Sequence, residues 1–380
     1  MNRHGETIRG FCIALAGLWL AQLYLPAHAR EVVGPSAVQK ATSDPAVIEQ
    51  ARRLNDLADR SATEELTRAL EQLPRVAAKG TIAHEWLLDR GLHQLARVKP
   101  TPAARALVDQ IAQQSPQIFV RVDPDHAEHA VPLYDPAATA RFVLGAWERT
   151  AAREKASAAL AAHQSWPIER FAQNDAAAES DPTKAGIVDA FRTADPEVLI
   201  QHRGALVAAV QNGERVDELA AVVAERLRDS DLYSLILSHA DPIIALDALR
   251  RTREIFTDSI ALDALIVASR RPEIASAALL EIGRSASQDS RARAYLFEML
   301  RDASTGPSAA TALALLHDAD VVAELGRQLR TNVPETMRRH LALALRLEDS
   351  PAARGQLAQF LKTNAGSPKL RKEVGAWLAQ

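Results

Sequence analysis

Cysteine is nearly missing from this sequence: Cys12 is the single thiol in 380 residues. It lies in an apolar N-terminal stretch, so the chain beyond Ala29 has no thiol at all. That excludes a disulfide, a cysteine nucleophile and a thiolate-ligated metal from the rest of the chain. Aromatic side chains are also scarce, at 4%. Strand-like runs are almost missing, with Ile118 to Val122 the only one. Positive charge is not in excess, since 45 Lys and Arg face 48 Asp and Glu. Nucleic acid demands clustered cations, so it is not an expected partner. A Gly-rich phosphate loop, a dinucleotide fingerprint, a G-x-S-x-G elbow and a paired C-x-x-C are all lacking. What is there, 47% hydrophobic and 24% charged residues, is the composition of a globular chain able to build a sizeable core.

The N-terminus reads as a secretory signal. Arg3 and Arg9 precede an uncharged apolar run from Gly10 to Leu25, and Pro26-Ala27-His28-Ala29 supplies the small-x-small end. The run is about 16 residues, short of the ~20 a retained membrane anchor needs. A lipid anchor on Cys12 is disfavoured because that residue lies inside the apolar run instead of at its end. Cleavage after Ala29 leaves 351 residues with net charge −4, since the leader takes away two arginines and one glutamate. No later stretch approaches a membrane span, so the expected product is periplasmic or secreted.

Helix starts dominate the remainder. A cap residue followed by proline recurs at Asp44-Pro45, Thr101-Pro102, Asp135-Pro136, Asp181-Pro182, Asp195-Pro196, Asp241-Pro242, Ser350-Pro351 and Ser367-Pro368. Asp, Ser and Thr accept hydrogen bonds from the free N–H groups of a first helical turn, and proline there gives up an N–H that had no partner. Ser61-Ala62-Thr63-Glu64 reads as a capping box. One-sided apolar stripes follow, such as Ala275, Ala278, Leu279 and Ile282, or Leu370, Val374, Trp377 and Leu378. An all-α protein is expected.

These helices repeat. Prolines 242, 272, 307, 334 and 368 are read as opening first helices, with second helices near Asp258, Asp289, Asp320 and Ser350, a period of ~31 residues. Two short alanine-rich helices per period describe a helical-hairpin solenoid, in which each hairpin buries its apolar face only against its neighbours. The segments Asp241-Pro242-Ile243-Ile244-Ala245-Leu246-Asp247-Ala248-Leu249-Arg250 and Pro272 to Gly283 resemble short bacterial HEAT-like repeats: an Asp/Pro start, then an Ala-Leu-rich helix often ending in Gly. The resemblance covers about 228–380, with weaker traces from Asp181. It implies an α/α superhelix, protein–protein scaffolding and no shared catalytic residues. Uneven spacing and a non-repetitive N-terminal third depart from the pattern, and an irregular helical bundle is the rival architecture.

The expected organisation is a signal peptide over 1–29, a smaller N-terminal helical region over 30–160, a linker over 161–182 and HEAT-like repeats over 183–380. In the N-terminal region helices are predicted at about 44–59, 62–73, 81–97, 102–114 and 136–155. A proline-interrupted polar loop separates the last two, over 115–134.

Two places carry residue types suited to chemistry. His84-Glu85-Trp86-Leu87-Leu88 begins like a zinc-protease motif, but Leu88 stands where a second histidine is required, so His84 reads as an ordinary helix residue. The loop residues Asp123, Asp125, His126, Glu128 and His129 offer imidazole and carboxylate donors within seven positions, the mixture Zn²⁺ accepts. Solvated polar loops collect the same residues, so metal binding stays an alternative. Histidines 93, 163, 202, 239, 317 and 340 are scattered singly. Basic clusters at Arg250, Arg251 and Arg253, at Arg270 and Arg271, and at Arg327, Arg330, Arg338 and Arg339 read as solvated faces or as a strip for an acidic partner or anionic polymer.

The functional expectation is a periplasmic or secreted, non-enzymatic scaffold. It would hold a protein or peptide partner in a groove built from successive second helices. The alternative is a metal-binding protein or metal-dependent hydrolase centred on His126 and His129.

Overall fold

The cap-proline pairs sit where helices begin. The computed structural model describes residues 31–73, 80–121, 130–173 and 181–379, and among these the chain forms twenty helices and one small sheet. Seven of the eight cap residues accept a backbone N–H of the first turn. Asp44 accepts from Ala46 at 2.9 Å, Thr101 from Ala104 at 3.2 Å, Asp135 from Ala138 at 2.9 Å and Asp181 from Thr183 at 2.8 Å. Asp241 accepts from Ile243 at 2.8 Å, Ser350 from Ala353 at 3.1 Å and Ser367 from Leu370 at 3.2 Å. Asp195 makes no such bond. Nor does the capping box form. Ser61 adopts a left-handed backbone with φ 55°, Ala62 takes the cap position, and the Thr63 hydroxyl donates to the Lys99 carbonyl at 3.1 Å.

The chain divides into two compact units after Ala151. In the first, α1 (Pro35–Thr42), α2 (Pro45–Asp59), α3 (Thr63–Glu71), α4 (Thr81–Leu95) and α5 (Pro102–Ile111) pack around Leu54, Leu66, Leu87, Leu92 and Val108. Three short strands accompany them: β1 (Glu31–Val32), β2 (Ile118–Arg121) and β3 (Ala130–Pro132). β2 lies in the middle, parallel to β1 with Ile118 opposite Glu31, and antiparallel to β3 with Val120 opposite Val131. Only β2 was legible, because segments of two and three residues show no alternation.

Helix α6 (Pro136–Ala161) contributes Ala140, Val143 and Trp147 to the first core and Ala156 and Leu160 to the second. The expected linker 161–182 contains a helix, α7 (Trp166–Ala172), whose Ile168 and Phe171 are buried in the second core. Its apolar residues are too few for a period to show.

The second unit is a helical-hairpin solenoid. It comprises α8 (Pro182–Thr193), α9 (Pro196–Gln211), α10 (Asp217–Leu227), α11 (Ser230–His239), α12 (Pro242–Ile255), α13 (Asp258–Ala268) and α14 (Ala275–Ser285). Then come α15 (Ser290–Met299), α16 (Gly306–Ala314), α17 (Ala319–Leu329), α18 (Glu335–Glu348), α19 (Pro351–Leu361) and α20 (Pro368–Leu378). Most helices pack on a sequence neighbour and on the helix two along. One row runs α8, α10, α12, α14, α16, α18, α20; in the other, α9 meets α11, α11 meets α13, and α17 meets α19. A single core runs from Ala156 to Val374. Alanine permits the close stacking: a Cβ at Gly283 of α14 would come within 3.0 Å of the Ala312 Cβ on α16.

The second helices begin at 258, 290, 319 and 351, near the expected positions. Proline opens the first helices less regularly. Pro272 lies in a turn and α14 starts at Ala275, while Pro334 is the cap residue of α18. Among the described residues, no helix is long and apolar enough to cross a membrane.

Candidate interaction surface

The five loop residues Asp123, Asp125, His126, Glu128 and His129 lie outside the described residues, as does the segment 1–29. Among the described residues no group of three or more His, Cys, Asp or Glu converges to hold a metal ion. The zinc-protease look-alike on α4 is engaged structurally. Glu85 is buried, and its carboxylate accepts the backbone N–H groups of Gln117 at 2.7 Å and Ile118 at 3.2 Å, which fixes the start of β2 to the helix. Burial pushes its carboxyl pKa up, against the lowering effect of the two N–H bonds. A carboxylate so occupied is not placed to act as a general base. His84 is half-buried, its Nδ1 has no hydrogen-bond partner, and burial lowers its pKa.

The scattered histidines have separate structural duties. His163 and His317 adopt left-handed backbones with φ 55° and 48°, a conformation in which His is enriched. His202 and His340 are buried, and the His340 Nδ1 lies 2.9 Å from the Leu300 carbonyl oxygen.

Most of the basic clusters are tied within the fold. Arg251 pairs with Glu225 at 2.7 Å, Arg327 with Glu324, and Arg330 donates to Gln356 at 2.6 Å. Arg271 donates to the carbonyl of Ala240 at 2.6 Å, and Arg338 to that of Thr331 at 3.0 Å. Arg226 donates to Ala194 and Arg371 to Leu361, at 2.9 and 3.0 Å. These carbonyls belong to helix C-terminal ends, where acceptors lack intrahelical partners and the dipole favours a cation. No spacing rule announced this use, because the acceptor lies on another helix. By contrast, the side chains of Arg250, Arg253, Arg270 and Arg339 make no hydrogen bond or ion pair among the described residues.

Both rows carry exposed apolar residues, Ile200 of α9 at 55% and Ile260 of α13 at 41% among them, but the row of first helices carries one on each of four successive members. Ile243 of α12 is 76% exposed and Leu315 at the end of α16 is 63% exposed, with Leu280 of α14 and Leu347 of α18 also open to solvent. A groove of about 820 Å³ crosses α8, α10 and α12, with Ile243 and Ile244 beside a salt-bridged set of arginines and carboxylates. In that set Arg192 meets Glu218 at 3.7 Å. Burial pushes the Glu225 carboxyl up, and the nearby Arg251 guanidinium opposes that shift without overcoming it. The groove lining combines the carboxylates of Glu218, Glu225, Asp247 and Glu254 with five arginines and the apolar side chains of Ile243 and Ile244. A second hollow of about 550 Å³ lies at the starts of the second helices α13 and α15, lined by Asp258, Ser259, Ser290 and Arg291 together with Arg253 and Arg284.

Comparison with protein-family models, with curated proteins and with solved structures gives no match to this chain.

Proposed function

We propose that this chain is an exported, non-enzymatic interaction scaffold whose row of first helices receives a protein partner. The observation that carries the reading is the open apolar series Ile243, Leu280, Leu315 and Leu347 on successive members of that row. Isolated exposed apolar residues are ordinary; a series on stacked helices beside a mixed-charge groove is what a partner surface requires. The resemblance of residues 241–283 to HEAT-like repeats supports the same use. The leader pattern over Met1–Ala29 supports export to the periplasm or beyond the cell, and N-terminal sequencing of the envelope fraction should find Arg30 first.

The test is site-specific photo-crosslinking in the native cell. A discrete adduct is expected from probes at Ile243 and Leu315, the Leu315 adduct being abolished by Ile243→Arg, with none from Ile260 on α13. Equal labelling from α13, or no reproducible adduct from any first helix, would remove the reading.

A further inference from the structure

We propose that the hollow between α18 and α20, at the C-terminal end of the repeats, docks a short acidic segment of a partner protein. An apolar residue of that segment would rest against Trp377. The inference rests on the scaffold reading but uses a different set of residues from the groove at Ile243.

The hollow measures about 650 Å³, room for roughly two or three side chains. Its floor and wall are apolar: Leu370 is fully buried, while Leu343 and Trp377 are partly covered and pack on the core with a face toward the hollow. Arg339, Lys369 and Lys372 surround that floor, and Glu373 is the one carboxylate among the lining residues. The three cations make no ion pair or hydrogen bond among the described residues. The adjacent Arg338 shows the contrast, since it donates to Glu335 at 3.1 Å and to the Thr331 carbonyl. From Thr331 onward eight Lys and Arg face four Asp and Glu, in a chain that is acidic as a whole.

Three unpaired cations around an apolar floor repel one another, and an incoming anion relieves that repulsion while steering its own approach. The floor then narrows the class of ligand. An anionic polysaccharide would satisfy the cations and leave the tryptophan and leucine faces uncovered. A purely apolar helix would cover the faces and desolvate cations with nothing to pair them. A peptide with carboxylates flanking a leucine or an aromatic residue satisfies both, and tryptophan with arginine forms the kind of anchor that dominates such sites.

The experiment is selection of a phage-displayed random dodecapeptide library on the immobilised chain beginning at Arg30, followed by fluorescence anisotropy with a fluorescein-labelled peptide from the selected pool. Recovered sequences should be rich in Asp and Glu around a Leu, Phe or Trp. Binding should weaken with salt, fall at least tenfold in Lys369→Glu/Lys372→Glu and several-fold in Trp377→Ala, and stay unchanged in Ile243→Arg. Both lysines are exposed, so the charge-reversed protein should keep its circular dichroism spectrum and melting temperature. Recovery of peptides without acidic excess, no enrichment, or affinity indifferent to charge reversal overturns the proposal. Dextran sulfate that loses binding on charge reversal but not in Trp377→Ala, when no peptide is selected, assigns the site to an anionic polymer instead. Failure here leaves the crosslinks at Ile243 untouched, so the two readings fall separately.

Discussion

Single residues in this fold often serve two elements at once. Gly306 opens α16, and a Cβ there would lie 2.1 Å from the Nδ1 of His340, whose buried ring is held at the Leu300 carbonyl. The ring cannot retreat without losing that bond. Gly306→Ala should therefore destabilise the protein by about 1–3 kcal/mol through overpacking. Thermal melting reads it, and a midpoint equal to wild type would mean α16 and α18 shift apart freely. Asp229 joins two helices in a different way. It caps α11 through the N–H groups of Asp231 and Leu232, at 3.1 and 3.0 Å, and forms a bidentate pair with Arg203 of α9. The Arg203 hydrogen bond, helped by the backbone N–H groups, holds the Asp229 carboxyl below its ordinary value. A depressed carboxyl stabilises the fold above the unfolded-chain value near pH ~4 and loses that contribution as pH falls through its own lower value. Asp229→Ala should then cost about 1–2 kcal/mol at neutral pH. The gap from wild type should shrink in urea titrations run near pH ~3; a constant gap would show that the charge is not what stabilises the cap.

At the scale of elements, the same device recurs along the row of second helices. Arg293 of α15 reaches Asp318, the cap of α17, at 3.2 Å, as Arg203 reaches Asp229 three hairpins earlier. Arginines 226, 271, 338 and 371 close helix C-terminal carbonyls elsewhere. Sequence alone shows only that these arginines cluster; the stacking gives them acceptors. The last element, α20, closes the core with Leu370 and Val374, both buried, while Trp377 is only partly covered, less than its place on the apolar stripe implies. Leu370→Ala should cost about 2–5 kcal/mol. Trp377→Ala should cost less, about 2 kcal/mol, since part of its ring already meets solvent. Hydrogen exchange on Leu370→Ala should show protection lost first over α18 to α20, because each hairpin leans on its neighbours. Uniform loss through α8 would contradict the one-dimensional stacking.

At the scale of the whole molecule, the described residues form two cores, one around Leu54, Leu87 and Leu92 and one running from Ala156 to Val374. Leu92 is fully buried in the first. Leu92→Ala should lower hydrogen-exchange protection over α1 to α5 by a few kcal/mol while α10 to α20 keep theirs. Equal loss in both would show a single cooperative unit.

What the sequence determined by itself is local. Caps before prolines set seven helix starts, because the bond from side chain to first-turn N–H spans two or three residues. The ~31-residue period set the solenoid, because stacked hairpins need the same apolar face at each turn. Other features needed the folded chain. The strands β1 and β3 exist only through β2, the arginine acceptors and the site of Glu85 lie on distant elements, and Ser61-x-x-Glu64 failed as a cap because the preceding turn took Ser61 into the left-handed region. The open surface was likewise decided in three dimensions. Periodicity says which residues share a face, but only packing decides that Ile243 and Leu315 stay uncovered, and that Arg339, Lys369 and Lys372 meet around one hollow without a partner.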